Sequence, residues 1–208
     1  MKERGAQQKK AGKSTVSPYI IDKEGGGQVA LIGFANVGKS TLVAELTNAD
    51  PEVSPHPYTT WQPTPGMLAI DNIQVQVIDT PPVDREFIEP EFFVMLRRVD
   101  MILLMVDLEA DALTQMNATI ELLTANRIIP EHLKDQYDEP GNRVVPLLVL
   151  GNKYDDESAD ENYQIFCALA DEETPCLPVS ALTKRNIDKM KERIFETLGI
   201  MRIYSKPF

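Results

Sequence analysis

Hydrophobic positions along this chain switch repeatedly between short β-like runs and stretches with helical spacing. Gln28-Val29-Ala30-Leu31-Ile32 is a mostly apolar run ending in Gly33, and beyond Lys39 the residues Leu42, Val43 and Leu46 recur at helical intervals. Met67 to Ile70 and Ile73 to Ile78, the second with alternation, flank a turn at Asp71-Asn72 and predict a hairpin. Phe87 to Leu96 predicts a helix and Met101 to Val106 a fully buried strand. Ala112 to Ala125 predicts a helix with Leu113, Met116, Ile120 and Leu123 on its apolar side. A strand over Val144 to Leu150, a helix over Glu161 to Ala170, a strand over Cys176 to Val179 and a helix over Ile187 to Leu198, stopped by Gly199, complete the alternation. Glu131 to Pro140 is acidic and reads as an exposed insertion before the fifth strand. The pattern implies an α/β three-layer sandwich, a mainly parallel six-stranded sheet with helices on both faces.

Composition narrows the picture. A chain of 208 residues, 43% hydrophobic and 25% charged, suits one globular domain with a substantial core. The formal charge of −11 argues against binding to DNA, bare nucleic acid or an acidic membrane surface. The opening stretch differs: Lys2, Arg4, Lys9, Lys10 and Lys13 are opposed there only by Glu3. Residues 1–27 are therefore expected to be a basic, flexible segment, a solvated tail being the simpler reading beside an RNA-binding arm. Cys167 and Cys176 have no partners at metal spacing and read as buried thiols in a reducing compartment. No signal peptide is evident, and the run Met101 to Val106 is too short to cross a bilayer, so a soluble, cytoplasmic protein is expected.

Gly33-Phe34-Ala35-Asn36-Val37-Gly38-Lys39-Ser40 fits the pattern G-x-x-x-x-G-K-[ST] and lies between a predicted strand and helix, as a phosphate-binding P-loop requires. Backbone N–H groups and the helix N-terminus can cradle phosphate oxygens while Lys39 adds charge beside the outer phosphates. Gly33, Asn36, Val37, Gly38, Lys39, Ser40 and Thr41 are the candidate phosphate contacts. Ser40 is the candidate Mg²⁺ ligand of the loop. The fold expectation becomes that of a P-loop NTPase.

Asn152-Lys153-Tyr154-Asp155 directly follows the buried strand ending at Leu150, where a parallel sheet presents its binding edge. A carboxylate at Asp155 can accept from N1–H and the 2-amino group of guanine, a donor pair that adenine lacks. Lys153 can lie over the base and Asn152 can tie the loop together. Ser180-Ala181-Leu182, past the last predicted strand, resembles a further guanine-contacting loop. The ligand expected is GTP or GDP rather than ATP, and an ATP-using kinase is disfavoured also by the lack of an arginine-rich lid.

With these motifs, His56-Pro57-Tyr58-Thr59-Thr60-Trp61-Gln62-Pro63 resembles switch I of the Obg and developmentally regulated GTP-binding (DRG) family of translation-factor-related GTPases. The resemblance covers most of the body and implies that Thr60 reaches Mg²⁺ and the γ-phosphate. His56 reads as a loop residue and Trp61 as a packing residue. Asp79-Thr80-Pro81-Pro82 resembles the Asp-x-x-Gly motif, with Asp79 serving the Mg²⁺ shell. Pro82 departs from it, because proline lacks the N–H that glycine offers the γ-phosphate. Losing such a bond costs ~1.5–3 kcal/mol, which would weaken discrimination of GTP over GDP by about ten- to a hundredfold. Val83 stands where many small GTPases carry a water-orienting glutamine, as in the hydrophobic-substituted GTPases.

Asn36 matches the asparagine that helps hold K⁺ in potassium-activated relatives, with a hydrogen bond bracing the loop as the alternative. Arg97 and Arg98 are discounted as internal arginine fingers. Residues 28–200 are expected to form the GTPase domain, and residues 201–208 resemble the join to a TGS domain. The resemblance implies a ribosome- or RNA-associated partner. Two functions follow as expectations: a slow Mg²⁺-dependent GTPase switch in which Lys39, Thr60 and Asn36 support hydrolysis, or a nucleotide-binding interaction module with little hydrolysis because of Pro82.

Overall fold

The computed structural model describes residues 17–47 and 62–200. The switch I candidates His56 to Trp61, Thr59 and Thr60 among them, lie outside the described residues, as do residues 1–16 and 201–208. The central sheet has six strands in the order β2-β3-β1-β4-β7-β8, formed by β1 (Gln28–Gly33), β2 (Thr64–Ile70), β3 (Ile73–Asp79), β4 (Met101–Asp107), β7 (Leu147–Asn152) and β8 (Cys176–Pro178). The β2–β3 pair is antiparallel, closing through Ile70 opposite Ile73, and every other pairing is parallel. The mixed α/β sandwich expected from the sequence is the observed fold.

Central strands read as continuous apolar runs because both faces are covered. All seven residues of β4 and all six of β1 are buried. On one face, Leu42 and Leu46 of α1 (Lys39–Thr47) and Met190 and Ile194 of α5 (Ile187–Thr197) meet Leu31, Leu103 and Leu150. On the other, Phe92 of α2 (Pro90–Leu96), Met116 and Leu123 of α3 (Ala112–Ala125) and Phe166 of α4 (Ala159–Leu169) pack with Ile32, Leu104 and Val149. Truncating one such buried leucine to alanine costs about 2–5 kcal/mol.

Local chemistry moves several boundaries. The helix expected from Phe87 begins at Pro90, whose fixed φ and missing N–H suit the first helical turn, and Phe87 is exposed. Asp111 caps α3 by accepting from the Thr114 N–H at 3.0 Å. The strand expected over Val144 to Leu150 divides at Pro146. Arg143–Val145 (β6) pairs in parallel with Ile128–Pro130 (β5), a strand the sequence reading missed, and β7 joins the main sheet. A proline cannot donate to a ladder, but the Pro146 carbonyl accepts from the Ile102 N–H at 2.9 Å, so the break leaves β4 paired. The expected insertion Glu131 to Pro140 opens with a 3₁₀ segment over Glu131–Gln136.

Residues 17–27, assigned on sequence to the tail, lie against the body. Tyr19 packs edge-on to Phe92 and its hydroxyl donates to Glu89 at 2.9 Å, Lys23 pairs with Asp100 at 2.6 Å, and the Gly26 N–H donates to the Gln74 carbonyl at 2.7 Å. Both cysteines are free, and the expectation that they are buried holds less well: Cys167 is exposed on α4, while Cys176 is partly buried and burial pushes its thiol up to about 12. No helix among the described residues is long and apolar enough to cross a membrane.

Candidate functional site

Because β1, β3, β4, β7 and β8 run in parallel, the loops after their C-terminal ends gather along one edge of the sheet. After β1 comes the Gly33 to Ser40 loop, leading straight into α1. Gly33 has φ +151°, Asn36 +63° and Gly38 +99°, so the chain curls through conformations that L side chains rarely adopt. A Cβ on Gly33 would collide with the Met105 carbonyl oxygen, and one on Gly38 with the Asn152 amide nitrogen. Glycine at both positions therefore follows from backbone shape and from close approach.

Lys39 is 5% exposed, and its ammonium donates to the carbonyls of Gly33 at 3.0 Å and Phe34 at 2.7 Å. Burial lowers its pKa, while the carboxylates of Asp79 and Asp84 act in the opposite direction. A buried cation held by loop carbonyls is costly unless an anion shares its surroundings. Next to it, the Ser40 hydroxyl donates to Asp79 Oδ2 at 2.6 Å. Asp79 Oδ1 is buried and has no hydrogen-bond partner, and burial raises the pKa of this carboxyl. The Ser40 hydroxyl oxygen and the Asp79 carboxylate, whose Oδ1 is buried and orphaned, make a donor set that fits a small hard cation such as Mg²⁺.

Past β3 the chain stays fastened to this loop. The Thr80 hydroxyl donates to the Leu31 carbonyl at 2.8 Å, the Val83 N–H to the Gly33 carbonyl at 3.2 Å, and Asp84 Oδ1 accepts from the Ala35 N–H at 2.9 Å. Pro81, Pro82 and Val83 are buried. The Asp84 contact was not foreseen from the sequence, where nothing distinguishes that carboxylate from a solvated one.

The other half of the site is organised by Asn152, which is 4% exposed at the end of β7. Its amide donates to the Val37 carbonyl at 2.7 Å, and its Oδ1 accepts from the Ala181 N–H at 3.0 Å, joining three loops. Asp155 accepts from the Ser180 hydroxyl at 2.6 Å, and that hydroxyl accepts in turn from the Thr183 N–H at 2.8 Å. Lys153, at φ +66°, pairs with Asp107 at 2.7 Å and Glu109 at 3.2 Å, and the Asp107 hydrogen bond holds its pKa above the ordinary range. Asp107 and Glu109 were missed on sequence; the available signal is that Asp107 ends a buried strand in register with Asn152. The Arg185 guanidinium stacks over Tyr154 at 3.9 Å.

Asn36, Gly38, Thr41, Asn152, Lys153, Asp155, Ala181 and Leu182 line one cleft of about 350 Å³. The sequence-predicted residues thus converge on the cleft from three segments, and Asp79, from a fourth, meets Ser40 beside Lys39. Thr60 lies outside the described residues. Arg97 and Arg98 follow α2 and precede the start of β4, the opposite edge of the sheet, and Arg97 donates to the Asn126 carbonyl at 2.7 Å. A larger concavity of about 540 Å³, between α5 and the β2–β3 turn, is remote from these loops.

Comparison with known proteins agrees with this geometry. The family model described as "50S ribosome-binding GTPase" matches residues 28–136. An uncharacterized GTP-binding protein of Methanocaldococcus jannaschii is 28% identical over 91% of this chain and 63% of its own length. The GTPase Obg of Salinibacter ruber is 30% identical over 82% of this chain and 50% of its own length. The chain therefore spans about half to two thirds of these curated relatives. Among solved structures, Aquifex aeolicus Era bound to GDP·AlF4⁻ superposes with a TM-score of 0.58 at 24% identity, covering 85% of this chain and 58% of that one, a likeness of fold. With the family model spanning more than half of the sequence, and a P-loop meeting the Asn152 to Asp155 loop at one sheet edge, the chain belongs to the 50S ribosome-binding GTPase family, translation-related P-loop proteins that bind guanine nucleotides.

Proposed function

We propose that residues 28–200 form a slow, Mg²⁺-dependent GTPase switch, hydrolysing GTP to GDP and phosphate. The observation that carries this reading is the buried Lys39 ammonium beside the Ser40–Asp79 pair with its orphaned oxygen. In this reading the loop N–H groups and Lys39 bind and orient the phosphates, and Ser40 and Asp79 hold Mg²⁺. When bound, the metal supplies charge neutralisation at the outer phosphates. Asn152 braces the cleft, and Asp155, oriented by Ser180, accepts from the guanine edge. Lys153, Ala181 and Leu182 flank the base. Thr60 completes the phosphate contacts by its resemblance to switch I.

Asn36, within the phosphate loop, is exposed, lines the cleft and has a left-handed backbone, and we assign its amide side chain to a K⁺ site. Val83 brings an apolar side chain where an orienting glutamine would otherwise stand, so catalysis in this reading comes from positioning and charge rather than from a side-chain base. The DRG resemblance, carried by the switch I pattern and by the likeness of residues 201–208 to the join before a TGS domain, and a ribosome- or RNA-associated partner, supported by the family description, belong to the same proposal.

One observation favours a second reading. Pro82 is buried with no N–H to offer, and the next N–H, of Val83, is committed to Gly33. A domain so built would bind guanine nucleotide as an interaction module and hydrolyse little. Single-turnover hydrolysis of Mg²⁺-GTP, run in matched KCl and NaCl and compared with Lys39→Ala, separates the readings. Lys39-dependent turnover that is faster in K⁺ supports the switch, and intact GTP despite binding supports the module.

A further inference from the structure

After β3 the chain spends its polar groups on the phosphate loop in an unusual way. Positions 81 and 82 are prolines and have no N–H, and the N–H at Val83 donates to the Gly33 carbonyl at 3.2 Å. Three successive backbone positions beside the loop therefore present no free donor to a phosphate oxygen. The next residue adds an anion. Asp84 Oδ1 accepts from the Ala35 N–H at 2.9 Å, so a donor of the phosphate-binding loop is taken up by the protein's own carboxylate. That carboxylate also acts electrostatically on Lys39, as Asp79 does.

We propose that Asp84 is a specificity-determining residue that disfavours the nucleoside triphosphate relative to the diphosphate, its carboxylate latching the segment after β3 to the phosphate loop. The inference rests on the reading that guanine nucleotide phosphates occupy this loop. A terminal phosphate brings further negative charge into a field that already holds two carboxylates, Asp79 and Asp84. Asp79 is turned toward Ser40 and belongs to the donor set for a cation, which offsets its charge. Asp84 is exposed and, beyond its longer-range attraction to Lys39, makes no ion pair among the described residues, so its charge also repels the added phosphate, damped by solvent. Weakening the Asp84–Ala35 contact moves the carboxylate's charge away from the loop, and this couples the terminal phosphate to the position of the segment after β3. The diphosphate leaves the latch in place.

The test is equilibrium binding of GDP and of guanosine 5′-(β,γ-imido)triphosphate, each with Mg²⁺, to the wild-type chain, Asp84→Asn and Asp84→Ala at low and high salt. Asparagine keeps an oxygen able to accept the Ala35 N–H but loses the charge. The expected result is a gain in triphosphate affinity of about three- to tenfold for Asp84→Asn, with GDP affinity changed by less than about twofold and the gain shrinking as salt rises. Asp84→Ala is expected to move the ratio in the same direction. A ratio unchanged in both variants, or equal shifts for both nucleotides, would show a brace for the loop and overturn the proposal. Failure of the wild-type chain to bind either nucleotide would overturn the underlying functional reading and this proposal with it, whereas binding with an unchanged ratio removes only the role of Asp84.

Discussion

The side-chain amide of Asn152 donates to the carbonyl oxygen of Val37 across 2.7 Å, joining residues 115 apart in the chain and fixing the P-loop against the loop that follows β7. Its other end accepts from the Ala181 N–H, so all three loops depend on one buried side chain. Replacing Asn152 with alanine leaves the Val37 carbonyl and the Ala181 N–H unpaired away from water. Each orphaned group costs about 1–3 kcal/mol, so a stability loss of at least about 2 kcal/mol is expected in denaturant unfolding, together with weaker GDP binding. A loss below about 0.5 kcal/mol, the range of ordinary surface substitutions, would contradict this account of the bridge.

Base choice is expected to follow Asp155. The carboxylate can only accept, which suits the two adjacent donors of guanine, while the amide of Asp155→Asn places a donor at one of the two positions. Guanine nucleotide affinity should fall by about a hundredfold or more, and xanthine nucleotide, which carries an acceptor in place of the 2-amino group, should gain. Competition titration with GDP and xanthosine diphosphate measures both shifts. Undiminished GDP binding by the variant would remove Asp155 from the base site.

Pro82→Gly restores a backbone N–H beside the phosphate loop. If that donor reaches the terminal phosphate, the GTP:GDP affinity ratio should rise by about ten- to a hundredfold, the worth of one hydrogen bond to a charged group. An unchanged ratio would mean that the proline does not limit triphosphate binding.

Much of this architecture was legible in the sequence, for identifiable reasons. Strands β1, β4 and β7 are buried on both faces, so they stand out as unbroken apolar runs bounded by glycine, aspartate or asparagine. The phosphate loop was legible because its glycines answer to backbone shape: Gly38 must sit against Asn152 and Gly33 against Met105. The short β5–β6 pair was not, since three-residue strands carry no period and Pro146 hides the division within one apolar stretch. Partners that depend on tertiary approach were equally invisible. Asp84 on Ala35, Asp107 on Lys153 and Tyr19 on Glu89 are contacts between segments whose separation no local pattern encodes.

The Tyr19 contact makes a prediction at high pH. Burial first, and then the hydrogen bond to Glu89, push the phenol up to about 12 from an ordinary value near 10. A group whose folded pKa is raised contributes stability that is fully present below the unfolded pKa and is lost as pH climbs through the folded one. The stability supplied by the protonated Tyr19 should therefore hold to about pH 10 and decay toward about pH 12. Tyr19→Phe should cost about 1 kcal/mol at neutral pH and flatten the alkaline loss of stability over that window. Tyr163 is shifted in the same direction by burial, so the difference between variant and wild type isolates Tyr19. Parallel curves for the two proteins would contradict the assignment.

The central claim is that the cleft bounded by Asn36, Asn152 and Asp155 holds guanine nucleotide, with its phosphates on Lys39 and Ser40. The most direct measurement is displacement of bound fluorescent GDP by unlabelled GDP, GTP and ATP in the presence of Mg²⁺. The account predicts displacement by GDP and GTP near equimolar competitor and none by ATP at a hundredfold excess. Displacement by ATP as readily as by GDP would contradict it.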